Sequence, residues 1–385
     1  MNIKSYFLRN TILALLVYII LPACSANVQE NNNRKIPDSF QLQDFYKSNA
    51  KLDSAIDQIM NRLSSEARAG QMIVVAAGHL GKPTVYVDRQ ITASRVGGVL
   101  LLNGSVYSFK KLHAHFDSVS SSSGILPLMY SADAEPSLIN RKIKDSTPVA
   151  KTIDLRNTQK CRETGQTIAD VLIDIGIQHG YAPVVDVSDA NVVISNRSFG
   201  SDPDSIALLA GAFIQAMQGN GIISTAKHFP GHGLVKGDSH SGLVYIDGDL
   251  IEISVYPSLI RDGLLSIMIG HIAVKNNKRW GTDGYPATCS RKIVTDLLKE
   301  EMGFRGLVVT DAMNMGALSA FPNASLLAVR AGCDIILMPA DEEKLVSDIV
   351  EEMNRDEAFR EQVNASVRKI IRMKLCLGLM PALTR

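Results

Sequence analysis

The chain has 385 residues, 46% of them hydrophobic and 21% charged, with a net charge of +1. That is enough apolar chain for one large globular core or two small ones. A near-neutral balance without basic runs among aromatics gives no electrostatic basis for binding nucleic acid.

At the N-terminus, Lys4 and Arg9 precede an apolar run from Ile12 to Leu21. The run is too short to span a bilayer and has the layout of a secretory signal. Leu21-Pro22-Ala23-Cys24 resembles the bacterial lipoprotein box, which implies cleavage before Cys24 and lipidation of that residue. An ordinary signal peptide with a chance cysteine is the alternative. Residues 1–23 are thus expected as a signal peptide, and 24–48 as a lipidated cysteine with a polar tether. Residues 49–385 are expected as a single catalytic domain. The protein is then a lipid-anchored monomer of the bacterial cell envelope, facing the periplasm or the cell surface. The other cysteines are Cys161, Cys289, Cys333 and Cys376, and their spacing matches no metal signature. One pair could bridge in an oxidising compartment, but they read better as small buried hydrophobes.

Two helical stretches, Leu52 to Leu63 and Ser64 to Gln71, open the domain. Short apolar runs follow at Met72–Ala77, Val99–Leu102, Leu126–Tyr130, Gly180–Asp186, Ile222–Lys227, Ser266–His271, Gly306–Thr310 and Asp334–Met338. Helical patterns lie between them at Asn157–Ile175, Ser205–Gln218, Tyr256–Gly263, Ser290–Met302 and Phe321–Ala331. Ser290 is a candidate N-cap and Gly303 a candidate C-cap. Eight apolar strands alternating with helices indicate an α/β fold, a closed (β/α)8 barrel of the TIM type. No internal repeat and no second composition block is visible.

Polar residues gather at the carboxyl ends of these strands: Asp133 and Glu135, Asp186, Lys227 and His228, His271, and Asp311. In such barrels that end carries the active site. The densest stretch is Ser224–His240, in which Lys227, His228, His232, Asp238 and His240 alternate with Pro and Gly, as in a strand that feeds an active-site loop. No Gly-rich phosphate loop follows a strand, so no nucleotide cofactor is expected, and no metal either. A carboxylate at a strand end, such as Asp311, can attack the anomeric carbon of a sugar and form a glycosyl ester. His240 could then protonate the leaving oxygen, with Asp238 orienting the ring and favouring its charged form, as an adjacent anion does. Lys227, His228, Asp133 and Arg197 would bind sugar hydroxyls.

Each residue also has a structural alternative. Asp311 could cap a helix over Ala312–Leu318, and Lys227 could be an ion-pair partner in the barrel mouth. His271 could serve the core or the sugar pocket. Asp186 reads as structural and His179 as an exposed surface residue. His228, His232, Asp238 and His240 could alternatively ligate Zn²⁺ in a metal hydrolase.

From about residue 50 onward, the chain resembles family 3 of the glycoside hydrolases, and most of all the single-domain bacterial β-N-acetylglucosaminidases. The resemblance rests on K-H-F-P-G-H-G at 227–233, D-S-H at 238–240, A-P-V-V-D-V at 182–187 and N-R-S-F-G at 196–200. It continues with P-A-T-C-S at 286–290, G-F-R-G-L-V-V-T-D-A-M-N-M at 303–315 and A-G-C-D-I-I-L-M-P at 331–339. By it, Asp311 corresponds to the nucleophile and Asp238–His240 to the acid/base pair on a mobile loop. Asp133, Arg197, Lys227 and His228 correspond to sugar-binding positions; His271, from its place at a strand's carboxyl end, is a further substrate-binding candidate. The implied activity is retaining hydrolysis of terminal β-linked N-acetylhexosamine from glycans or peptidoglycan fragments. One departure stands out. Where the family commonly has D-x-E-G-G or D-x-E-W-G, this chain has Asp133-Ala134-Glu135-Pro136-Ser137, which leaves subsite preference open. A sugar-binding lipoprotein without catalysis, a β-glucosidase-like enzyme and a phosphorolytic one are the alternatives.

Overall fold

The computed structural model describes residues 40–188, 193–235 and 237–380. Among them, eight parallel strands form one sheet: β1 Ile73–Ala77, β2 Gly98–Leu101, β3 Met129–Ala132, β4 His179–Gly180, β5 Ile223–Phe229, β6 Ser266–Ile269, β7 Leu307–Thr310 and β8 Ile336–Leu337. From β1 to β7 each strand pairs with the next in sequence, and β8 pairs with β1. A parallel bridge between Val309 and Ile335 joins β7 to the approach of β8 and completes the ring. This is the expected (β/α)8 barrel. Strands buried on both faces must be apolar throughout, and runs such as Ile73-Val74-Val75-Ala76-Ala77 meet that demand.

The helices α1 Ala50–Met60 and α2 Ser65–Gln71 precede β1. Around the barrel follow α3 Thr84–Thr92, α4 Val106–Ser122, α5 Thr158–Ile175, α6 Pro203–Gly219, α7 Tyr256–Arg261, a π-type helix at Lys292–Glu301, α8 Ala324–Ala331, α9 Glu342–Arg355 and α10 Glu357–Cys376. Their starts are chemically marked. Asn157, Asp202, Asp341 and Asp356 each accept a first-turn N–H on their side chain. α3, α4, α9 and α10 lie outside the helical patterns expected from the sequence. In α4 the core is reached mainly by Phe109 and Phe116, and the rest is largely Ser, Lys and His, so the apolar stripe is thin. Ser290 makes no side-chain cap at the π-type helix, whose first bonds go to its carbonyl instead.

Residues 40–48, expected as the end of a tether, belong to the fold. Leu42 and Phe45 are buried, and Arg372 donates to the carbonyls of Phe45 and Lys47. Cys24 and the proposed signal lie outside the described residues. Among the described residues, no helix is long and apolar enough to cross a membrane. Cys161, Cys333 and Cys376 are buried, Cys289 is half-buried, and all four are free thiols.

His179, expected at the surface, is fully buried inside the barrel, where its Nε2 meets Thr225 Oγ1 at 2.8 Å and Ser266 Oγ at 3.2 Å. Burial pushes its imidazole down to about 3. The fourth strand is shorter than its apolar run, because Pro183 has no N–H to continue the ladder. The chain still runs beside β5, with Val184 bridged to Lys227. The N-terminal end of the barrel is sealed by Lys374, which donates to Gln71 Oε1, Gly97 O and Pro127 O at 2.7–2.8 Å. The carboxyl ends of the strands are left to carry the polar chemistry.

Candidate active site

At that end the structure gathers a cleft of about 370 Å³. Asp133, Glu135, Arg197, Lys227, His228, His232, Asp238, His240 and Asp311 line it. Eight of the sequence-derived candidates can be placed. Seven line this cleft, and His271 does not.

The floor is a web of paired charges. Lys227, toward the carboxyl end of β5, donates to Asp133 Oδ1 at 3.1 Å and pairs with Glu135 Oε1 at 2.7 Å. Arg197 grips Glu135 through Nε and Nη2, both at 2.8 Å, the two-pronged geometry that suits a guanidinium. Lys142 donates to Asp133 from the other side. Burial raises the Asp133 carboxyl, yet Lys227 and Lys142 hold it well below the usual carboxylate range. Glu135 resists burial in the same way through Lys227 and Arg197, and is held down to about 2. Both are therefore acceptors, able to receive hydroxyl protons of a ligand. From the sequence, Glu135 is expected at a strand's carboxyl end, in the loop that departs from the family pattern, and not among the sugar-binding residues. Its double pairing makes it part of the floor, and its position two residues beyond Asp133 at a strand end was the available signal.

Beneath the rim lies Asp186. Its Oδ1 accepts the backbone N–H groups of His228 at 3.0 Å and His232 at 2.9 Å, and its Oδ2 accepts Nδ1–H of His228 at 2.7 Å. This fixes the tautomer and orientation of His228 and leaves its other nitrogen for the cleft. Asp186 is structural in the sense that it aims the His228 ring and anchors the backbone of His232.

Asp311 begins the segment after β7. Its N–H donates to Ile269 O at 2.9 Å, which continues the β6–β7 ladder and fixes the Cα at the strand end. One carboxylate oxygen accepts the Ala312 N–H at 2.8 Å. No α-helix starts there; a turn leads instead to a short 3₁₀ segment at Gly316–Leu318. The helix-cap alternative therefore fails. Burial raises the Asp311 carboxyl, but His228, His271, the Ala312 N–H and Lys227 outweigh it and hold it below its ordinary value. An ionised carboxylate is the form a nucleophile requires.

His271 is fully buried below this turn. Its Nε2–H donates to Ala312 O at 3.0 Å and its Nδ1 meets Thr288 Oγ1 at 2.9 Å. Burial lowers its basicity, and the bond to the Ala312 carbonyl requires a proton on Nε2. It braces the residue after Asp311 and is not among the residues that line the cleft.

Asp238 and His240 stand on the loop after β5. Nδ1–H of His240 donates to Asp238 Oδ1 at 2.7 Å, and the same oxygen accepts the His240 backbone N–H at 2.9 Å. That leaves Nε2 as the ring nitrogen without a protein partner among the described residues. The loop is held over Asp311 by backbone bonds, Gly316 N–H to His240 O at 3.2 Å and Ala317 N–H to Ser239 O at 3.1 Å. Gly316 permits this approach, since a Cβ there would stand 2.5 Å from His240 O. His232 meets Ser239 Oγ at 3.0 Å from beneath. No group of three or more His, Cys, Asp or Glu side chains among the described residues is arranged to hold a metal ion.

The profile of the glycosyl hydrolase family 3 N terminal domain matches residues 64–373. The chain belongs to glycoside hydrolase family 3. It is 31% identical to "Beta-hexosaminidase LpqI" of Mycobacterium tuberculosis, over 81% of this chain and 83% of that one. It is 29% identical to "Beta-hexosaminidase A" of Pseudoalteromonas piscicida over 72% of this chain, and spans only 53% of that longer protein. Among solved structures, it superposes on a β-N-acetylhexosaminidase from Beutenbergia cavernae with a TM-score of 0.72 at 27% identity, covering 80% of this chain and 97% of that one. A family 3 β-N-acetylglucosaminidase from a Paenibacillus species gives a TM-score of 0.75 at 26% identity, covering 82% of this chain and 63% of that one. This family 3 chain therefore carries its cleft on a barrel shared with these enzymes.

Proposed function

We propose that this protein is a retaining β-N-acetylhexosaminidase that removes terminal β-linked N-acetylglucosamine, or a related N-acetylhexosamine, from glycans or peptidoglycan fragments. The observation that carries this reading is the docking of the loop after β5 onto the segment after β7, which puts His240 and Asp311 in the lining of one cleft. Asp311 attacks the anomeric carbon while His240 passes the proton on Nε2 to the departing oxygen. The resulting glycosyl ester is hydrolysed by water that His240 then deprotonates. Asp238 holds the imidazole in the orientation and tautomer both steps need. Asp133, Arg197, Lys227 and His228 hold the sugar hydroxyls. The similarity to proteins named β-hexosaminidases supports the choice of sugar.

The test is a pair of chromogenic substrates, an aryl β-N-acetylglucosaminide and the matching β-glucoside. Turnover of the first with little of the second is expected; preference for the glucoside would overturn the sugar assignment. Lipid anchoring through Cys24 is part of the same reading and rests on Lys4, Arg9 and the short apolar run ending at Leu21-Pro22-Ala23-Cys24. Cys24→Ser is expected to move the protein from the membrane fraction to the soluble one; continued sedimentation with membranes would refute the anchor.

A further inference from the structure

Glu252 lies on the 3₁₀ segment Ile251–Val255, outside the cleft lining, and its side chain is buried. Among the described residues it has no cationic partner. Its carboxyl group instead accepts three backbone N–H groups: Val187 at 2.8 Å and Gly233 at 3.0 Å on Oε2, and Leu234 at 3.0 Å on Oε1. Val187 follows Asp186 in the segment after β4. Gly233 and Leu234 form the root of the loop that carries Asp238 and His240. One side chain therefore ties together two segments that together supply most of the cleft rim. The fit is close. Gly231 has a φ of 137°, and a Cβ there would stand 2.5 Å from the Cβ of Glu252, so the chain passes directly over the stem of this residue.

Burying a carboxyl group without a cation is costly, and an apolar side chain would fill the same space more cheaply. Three converging N–H donors are what the carboxyl supplies and an apolar filler cannot. Burial and the neighbouring Asp186 push Glu252 up to about 8. A proton on Oε1, which accepts a single N–H, leaves all three bonds in place.

We infer that Glu252 is a positioning residue for the acid/base loop, fixing its root against the segment after β4 so that His240 closes over Asp311. The inference rests on the acid role assigned to His240 above. Loss of Glu252 frees the loop root while leaving the nucleophile and the charged floor in place. Reactions that need a proton on the leaving group then suffer most.

The test compares the parent, Glu252→Ala, Glu252→Gln and His240→Ala on aryl β-N-acetylglucosaminides of increasing leaving-group pKa, alongside amide hydrogen exchange. With Glu252→Ala, the poorest leaving groups are expected to be cleaved at least about tenfold more slowly, and the most activated phenol within about threefold of the parent. Exchange of the amides at 231–242 is expected to rise about tenfold while β1–β3 stay protected. Glu252→Gln retains one acceptor oxygen and should fall between; it also serves if the alanine variant fails to fold. Equal losses across the leaving-group series, beside a steep His240→Ala series, would overturn the inference. If His240→Ala keeps the parental slope, the acid assignment itself falls. The exchange arm then decides alone, and unchanged exchange at 231–242 refutes the tie.

Discussion

Lys227 and Glu135 are 3% and 1% exposed and each meets two opposite charges, whereas Asp238 and His240 are 43% and 64% exposed and, among the described residues, form ion pairs only with each other. The first pair stands on or next to barrel strands, held by side chains from the segments after β3 and β4 and from β5. The second hangs on a loop docked by two backbone bonds to Gly316 and Ala317. Binding a sugar in one orientation favours groups whose rotamers are locked before the ligand arrives. Passing a proton both ways favours a group that reaches the ligand and still exchanges with solvent. The cleft thus divides a charge-saturated floor from an exposed arm, proposed above as the acid/base, and the two should respond differently to mutation.

The largest effect belongs to Asp311, which lies between the two. Asp311→Ala is expected to lower kcat/KM by about four orders of magnitude or more while the protein stays folded. Activity within about tenfold of the parent would remove the nucleophile assignment. His240→Ala should cost about 10²–10⁴-fold on natural linkages and far less on an activated phenol, whose oxygen leaves unprotonated. Asp238→Ala should show a milder form of the same slope change. Neither dyad variant is expected to move the unfolding free energy by more than about 0.5 kcal/mol, because both residues are exposed.

Lys227→Met sharpens the contrast on the stability axis. It breaks two buried pairs at once and should cost roughly 3 kcal/mol in urea unfolding, the low end for such a change because Lys142 and Arg197 remain on the two carboxylates. A stability loss no greater than that of His240→Ala would abolish the distinction between floor and arm. The smallest expected effect concerns His179. Its folded pKa of about 3 lies below the unfolded value near 6.5. The unfolded chain therefore binds the extra proton between these values, and stability falls as pH drops through that window. His179→Gln should lessen the loss between pH 7 and pH 5 by about 2 kcal/mol. Identical pH slopes in both proteins would contradict the burial argument.

The barrel was legible because strands buried on both faces leave continuous apolar runs, and because Asp133, Lys227 and Asp311 stand directly at their ends. The arm was legible through the local Asp-x-His spacing. What could not be read were partnerships across long stretches of chain. Asp186 aims the His228 ring and anchors the His232 backbone from more than forty residues away, and Glu252 meets Val187 from sixty-five. His271 falls in the same class, since both of its nitrogens are taken by residues on other segments. His179 misled because a two-residue strand leaves no alternation to show which way its side chain faces.

The central claim is a covalent intermediate on Asp311, and trapping it is the most direct test. Incubation with an activated 5-fluoro derivative of β-N-acetylglucosamine should slow hydrolysis of the ester more than its formation. Peptide mapping by mass spectrometry is then expected to find one sugar adduct, on the peptide that contains Asp311, and none in Asp311→Ala. An adduct on the peptide bearing Asp133 or Glu135, or turnover of the derivative without any adduct in the parent, would contradict the account.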